Sequence, residues 1–322
     1  MTISGINWNS VEDDLDIEVW NRLKSNFWVP EKVPVANDIP AWGKLSEVEK
    51  EAVRKVFGGL TMLDTLQSEV GAPVMQRDAK TKHEAAVFAN ITFMEAIHAQ
   101  SYSSIFSTLC STDEINRIFR WVETDETLQH KGQIISHFYN QRYDSETFAQ
   151  ATRKAASVLL ESFLFYSGFY LPLKLSSMAK LTNTADIIRL IMRDEGVHGF
   201  YIGLKFQNLR AELNSEDQEE LDGVVMDLAE DLYHNEIEYT RHIYGETGWT
   251  GNVISYLNYN YNKAMMNLGY SDSLMPEDIS TPEATILSQM AIDANETHDF
   301  FSGSGSSYVI GKVEETDDDD WS

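Results

Sequence analysis

Ile91-Thr92-Phe93-Met94-Glu95-Ala96-Ile97-His98 sets a carboxylate and an imidazole one helical turn apart in an otherwise apolar run, and the spacing returns in Arg193-Asp194-Glu195-Gly196-Val197-His198. Residues i and i+3 share one helix face, so each pair aims two metal-competent side chains the same way. With 28 glutamates and eight histidines in the chain, chance spacing gives roughly 0.7 such pairs, so the flanks carry the argument. Glu95 is surrounded by Phe93, Met94, Ala96 and Ile97, and Glu195 follows Ile187-Ile188-Arg189-Leu190-Ile191-Met192. Asp231-x-x-His234 is the control: it lies among Glu230, Asn235, Glu236 and Glu238 and reads as a solvated face.

Working outward, two more acids stand in apolar helical sequence: Asp64 within Leu60-Thr61-Met62-Leu63 and Thr65-Leu66, and Glu161 within Val158-Leu159-Leu160 and Ser162-Phe163-Leu164-Phe165. Each precedes a Glu-x-x-His by a similar interval, 31 residues from Asp64 to Glu95 and 34 from Glu161 to Glu195, as two helix pairs related by a pseudo-twofold require. A buried carboxylate is costly unless paired, and only Arg189 and Arg193 lie close in sequence to any of the four. A metal cluster is therefore expected. Four carboxylates and two imidazoles on four helices is the ligand pattern of ferritin-like dinuclear carboxylate proteins, and it suits two iron or two manganese ions. Asp194 is read either as an acceptor for the second ring nitrogen of a histidine ligand or as an exposed helix acid. Tyr102, four residues beyond His98, falls on the metal-facing side; with Phe165, Phe169 and Ile191 able to enclose the region, it is a candidate radical carrier.

The fold class expected is all-α: a ferritin-like helical bundle with additional helices and a flexible C-terminal tail. Four of the seven prolines (Pro30, Pro34, Pro40, Pro73) lie in the first quarter, leaving long stretches of helical periodicity. Helices are predicted over 46–70, 82–109, 112–123, 125–139, 146–173, 184–210, 215–244 and 252–268, the Glu-rich one at 215–240 as an outer helix. Residues 1–295 are expected as the dimetal-carboxylate domain, and 296–322 as an acidic tail, where a Gly/Ser run (302–307) precedes Tyr308 and the acids Asp317 to Asp320.

The chain has 322 residues, 43% hydrophobic, and a net charge of −26, which argues against nucleic acid and anionic membranes as partners. The single cysteine, Cys110, excludes an internal disulfide and suits a reducing cytosol. Met1 to Asn9 is too polar and short for a secretory signal. The longest apolar stretch, Ala155 to Leu175, is interrupted by Glu161, so a buried helix is expected there rather than a membrane span.

Several runs taken in order resemble the class Ib ribonucleotide reductase small (β) subunit family. They are Leu63-Asp64-Thr65-Leu66-Gln67, Phe93 to His98, Ser101-Tyr102-Ser103-Ser104-Ile105-Phe106, Leu160 to Phe169, Arg193 to Gly199, Asn26-Phe27-Trp28-Val29-Pro30-Glu31-Lys32, and His298 to Tyr308. The resemblance spans about Ile6 to Trp321. It implies a homodimer storing a tyrosyl radical on Tyr102 beside a dimetal site, with Asp64, Glu95 and His98 on one ion and Glu161, Glu195 and His198 on the other. It also implies a large (α) subunit that draws on this radical to reduce ribonucleoside diphosphates. Trp28 and Asp194 match the family's electron-transfer residues, Tyr308 the tail tyrosine that passes the radical between subunits, and the extreme C-terminus the large-subunit docking peptide. Class Ib members resemble one another in using dimanganese with a flavodoxin-like activase. Family tails commonly end Asp-Asp-Trp, one residue, then Phe; here the sequence reads Asp319-Asp320-Trp321-Ser322, which implies a further residue. The alternative function is a ferritin-like di-iron oxidase or a monooxygenase hydroxylase component, neither of which needs Tyr102 or a tail bearing Tyr308.

Overall fold

Helix starts are written into this chain as side-chain caps. Ser46 and Glu49 form a reciprocal capping box at the head of α3 (Glu47–Leu66), and Ser111 and Glu114 do the same for α6 (Thr112–Thr124). Thr81 caps α5 (Lys82–Leu109), Asp125 caps α7 (Glu126–Asn140), Ser145 caps α8 (Glu146–Leu159) and Asn214 caps α11 (Ser215–Tyr244). Between and beyond them lie α2 (Ile39–Trp42), α4 (Ala72–Asp78), α9 (Tyr166–Ser177), α10 (Thr182–Glu212) and α12 (Thr250–Asn267). The computed structural model describes residues 4–270 together with Ile286; the described residues contain helices and turns and no strand.

Two helix pairs make the centre: α3 lies along α5, and α8 along α10. Their shared core is continuous and apolar, from Val56, Phe57 and Leu60 through Phe88 and Ile91 to Val158, Leu159, Ile187, Ile188 and Ile191. The stretch Glu146–Ser177 is long and apolar enough to span a bilayer, and its apolar window is wholly buried inside the bundle, as its interruption by Glu161 suggests.

The structure departs from the sequence prediction in four places. Helix α1 (Asp14–Asn26), capped by Asp13, is a further element, hidden by its polar sequence; it packs on α5 and α10. The predicted helix 46–70 gives way after Leu66 to a π-helical turn at Gln67–Gly71, and the predicted helix 146–173 contains another at Leu160–Leu164. Helical periodicity does not reveal a π turn, because one inserted residue leaves the apolar pattern on both sides intact. Helix α11 is not simply an outer helix: Leu221, Val225, Leu228, Leu232 and Tyr244 face inward, and Glu236, read as solvated, is fully buried. The boundary expected at 295, the tail 296–322 and Tyr308 lie outside the described residues.

Candidate metal centre

Asp64 stands one turn before the first π turn, Glu161 stands inside the second, and Glu95, His98, Glu195 and His198 sit mid-helix on α5 and α10. All six side chains are fully buried. The fold brings them into two overlapping groups, Asp64, Glu95, His98 and Glu195, and Glu95, Glu161, Glu195 and His198, each with one donor atom per residue within 4.8 Å of the others. His98 Nδ1 lies 3.0 Å from Glu195 Oε1 and 3.6 Å from Glu95 Oε2. His198 Nδ1 lies 2.8 Å from Glu95 Oε1 and 3.6 Å from Glu195 Oε2. Glu95 and Glu195 thus each direct one oxygen toward either histidine, while Asp64 stands at the His98 end, 4.0 Å away, and Glu161 at the His198 end, 3.4 Å away. Glu95 and Glu195 therefore lie between the two histidines, with Asp64 and Glu161 at opposite ends.

The donor set fits metal ions on physical grounds. Among the described residues, both oxygens of Asp64, Glu95 and Glu195, one of Glu161, and Nδ1 of both histidines have no hydrogen-bond partner. Buried polar atoms are almost always satisfied, so this many orphans converging on one volume call for cations. Their own burial and mutual repulsion also bias these groups toward binding protons. Burial, then the charge of Glu95, raises the carboxyl pKa of Asp64 well above its usual range, and burial with Glu95 and Glu195 does the same to Glu161. Burial alone would depress both imidazoles, but the surrounding carboxylates outweigh it and hold His98 and His198 well above an ordinary histidine. Glu195 moves down against its own burial, because the Glu161 carboxyl and the His198 and His98 imidazoles beside it favour its charged form.

Asp194 is buried, which removes the exposed-acid reading. Its Oδ2 accepts from Trp28 Nε1 at 2.7 Å and lies 3.2 Å from His98 Nε2. The Trp28 and His98 rings are near-parallel with centroids 6.0 Å apart. Tyr102 is fully buried, with Phe57 of α3 stacked on it at 5.6 Å. Its hydroxyl has no hydrogen-bond partner, and burial, then Asp64, Glu195 and Glu95, hold the phenol pKa well above the ordinary value. Phe165 and Phe169 are buried and pack on one another.

The sequence profile described as ribonucleotide reductase, small chain, matches residues 5–276. The chain is 55% identical over 319 residues to the ribonucleoside-diphosphate reductase 2 subunit beta of Escherichia coli, covering 99% of this chain and 98% of that one. This chain belongs to the ribonucleotide reductase small-chain family. A reductase beta subunit of Mycobacterium tuberculosis is 56% identical over 99% of this chain and 96% of its own length. The crystal structure of the dimanganese(II) NrdF of Streptococcus sanguinis superposes with a TM-score of 0.84 at 47% identity, over 90% of this chain and all of that one.

Within this small-chain site, three polar residues escaped sequence reading. Gln67 Nε2 donates to Glu161 Oε1 and, at 2.8 Å, to Ser157 Oγ, and the Tyr139 hydroxyl donates to Gln67 Oε1 at 2.6 Å. Gln67 follows Asp64 by three residues on an apolar helix, a signal of the kind that revealed Glu95 and His98. Tyr139 arrives from α7 with no such signal. The Asp231–His234 control is solvent-exposed, as read.

Proposed function

We propose that this chain is the radical-generating beta subunit of a ribonucleoside-diphosphate reductase, holding two manganese or two iron ions and a tyrosyl radical on Tyr102. The observation that carries the reading is the buried six-residue donor set with an isolated phenol beside it. Asp64, Glu95, His98, Glu161, Glu195 and His198 are the assigned ligands, and the loaded pair of ions supplies the oxidising equivalent for Tyr102. Burial holds the phenol in its protonated form, so its oxidation would release a proton along with the electron. Complete burial then keeps water and reductants from the ring.

Asp194 holds the Trp28 indole N–H and the far nitrogen of His98 on one carboxylate oxygen, which fixes the imidazole tautomer and gives a continuous polar link from the ligand to Trp28. We assign Trp28 and Asp194 to electron transfer, Tyr308 to relay between subunits, and the acidic tail, 296–322, to docking the large subunit. The assembly is a homodimer in the cytoplasm, activated in its manganese form by a flavodoxin-like partner.

Low-temperature electron paramagnetic resonance tests the reading. The diferrous protein should give a tyrosyl signal with oxygen alone, and the dimanganese protein only when a reduced flavodoxin-like protein is also present. Absence of any tyrosyl signal under both regimes would overturn the radical assignment.

A further inference from the structure

Glu161 is the one assigned ligand whose carboxylate is gripped by a neutral amide. Gln67 Nε2 donates to Glu161 Oε1 and to Ser157 Oγ, while Gln67 Oε1 accepts from the Tyr139 hydroxyl. All four residues are buried. The two ends of a glutamine amide have nearly the same shape, so sterics do not choose between them; the hydrogen-bond network does. A phenol is a donor at neutral pH, so Tyr139 directs the amide oxygen toward itself and the amide N–H toward Glu161. In the reversed orientation oxygen would face oxygen, and Glu161 would have to carry a proton on that side. Gly71, at the end of the π turn, makes room: a Cβ there would lie 2.1 Å from Gln67 Oε1 and 2.7 Å from the Tyr139 ring.

We propose that Gln67, oriented by Tyr139 and admitted by Gly71, is a positioning residue that fixes the Glu161 carboxylate with Oε1 engaged and Oε2 free to face metal. Glu161 Oε2 is indeed unpartnered and lies 3.4 Å from His198 Nδ1. The arrangement has no counterpart in the described surroundings of Asp64, both of whose oxygens are unpartnered. The two ends of the centre therefore differ: at one the lone carboxylate is held by an amide donor, and at the other neither oxygen has such a donor among the described residues.

This inference rests on the dimetal reading, and the test separates the two. Metal-free full-length protein is titrated with manganese(II), with free ion counted by electron paramagnetic resonance and helix content followed by circular dichroism. The wild-type chain should take up two ions; failure to do so would overturn the dimetal reading itself. Tyr139→Phe keeps the ring and should leave helix content and the first ion unchanged, yet weaken the second ion by about 10–100-fold, the usual cost of losing a group that orients a ligand. Gln67→Leu should do the same, and the double variant should be no worse than either alone, because both act on one amide. A purely structural role would instead give losses that add. Wild-type affinity for both ions in Tyr139→Phe, or additive losses, would overturn the proposal; if Gln67→Leu fails to fold, the Tyr139→Phe result decides alone.

Discussion

At the scale of single residues, the centre exchanges protons for metal. Burial with neighbouring carboxylates raises the pKa of Asp64 and Glu161, and the carboxylates raise those of His98 and His198, so each holds its proton to higher pH than an ordinary group of its kind. Ligation requires them deprotonated. Metal uptake should therefore release protons, and apparent affinity should rise with pH; titrating manganese(II) into weakly buffered protein with a pH indicator measures both. Uptake without proton release would contradict these raised pKa values. The two tyrosines assigned to radical chemistry should fail differently. Tyr102→Phe removes one oxygen that bonds to nothing, so stability should hold within about 1.5 kcal/mol, metal should bind normally and the tyrosyl signal should vanish. Tyr308→Phe should form a normal radical, bind the large subunit with native affinity and support essentially no nucleotide reduction. Near-normal turnover from Tyr308→Phe at saturating large subunit would show that the radical leaves by another route.

At the scale of elements, α7 and α11 are joined by a buried ion pair. Lys131 donates to Glu236, both fully buried, and the ammonium lies 3.4 Å from the centroid of the Tyr239 ring. Taking two charges out of water costs most of what their attraction returns, so the pair adds little over an apolar replacement, but breaking it strands a charge. Lys131→Met alone should lose about 3–5 kcal/mol, and Lys131→Met with Glu236→Leu should recover most of it. Urea unfolding of the metal-free forms gives both numbers; equal losses in the single and double variants would refute the account. Glu236 shows why this pair was illegible in sequence. It stands among acids and beside Asn235, and its partner lies 105 positions away in another helix. The π turns are a second element-scale feature without a local signature: Gln67 and Glu161 each sit in one, and the contact between them spans 94 positions.

Across the whole molecule, a chain carrying −26 has a stripe of low charge among its described residues. Along α5 beyond Lys82 the exposed positions Ala89, Phe93, Ala96, Gln100, Ser103 and Ser107 recur every three or four residues and are not themselves ionisable, with Glu31 at the edge accepting from Gln100. Phe93 is 49% exposed and stacks on Phe27. Strongly acidic copies can approach one another only where such charge is absent, so this stripe is the face expected between the two protomers. Ala96→Arg with Ser103→Arg should convert the dimer to a monomer in sedimentation velocity while the bundle stays helical. A dimer unaffected by both arginines would place the interface elsewhere.

Sequence was enough for the all-α class and for singling out the six acids and histidines that the fold gathers, because a carboxylate in an apolar helix stands out without any knowledge of its neighbours. Tyr102 was legible for the same reason, one turn beyond His98. Packing set how these residues lie: Glu95 and Glu195 stand between both histidines because α5 and α10 run past each other at that level. It alone chose the buried role of Asp194 over the exposed one, through Trp28 some 166 positions away. And it alone brought Gln67, Ser157 and Tyr139 onto Glu161. Periodicity reports which face of a helix a residue occupies; which other helix meets that face is a property of packing, where burial forces each polar group to find a partner at whatever sequence distance the fold supplies.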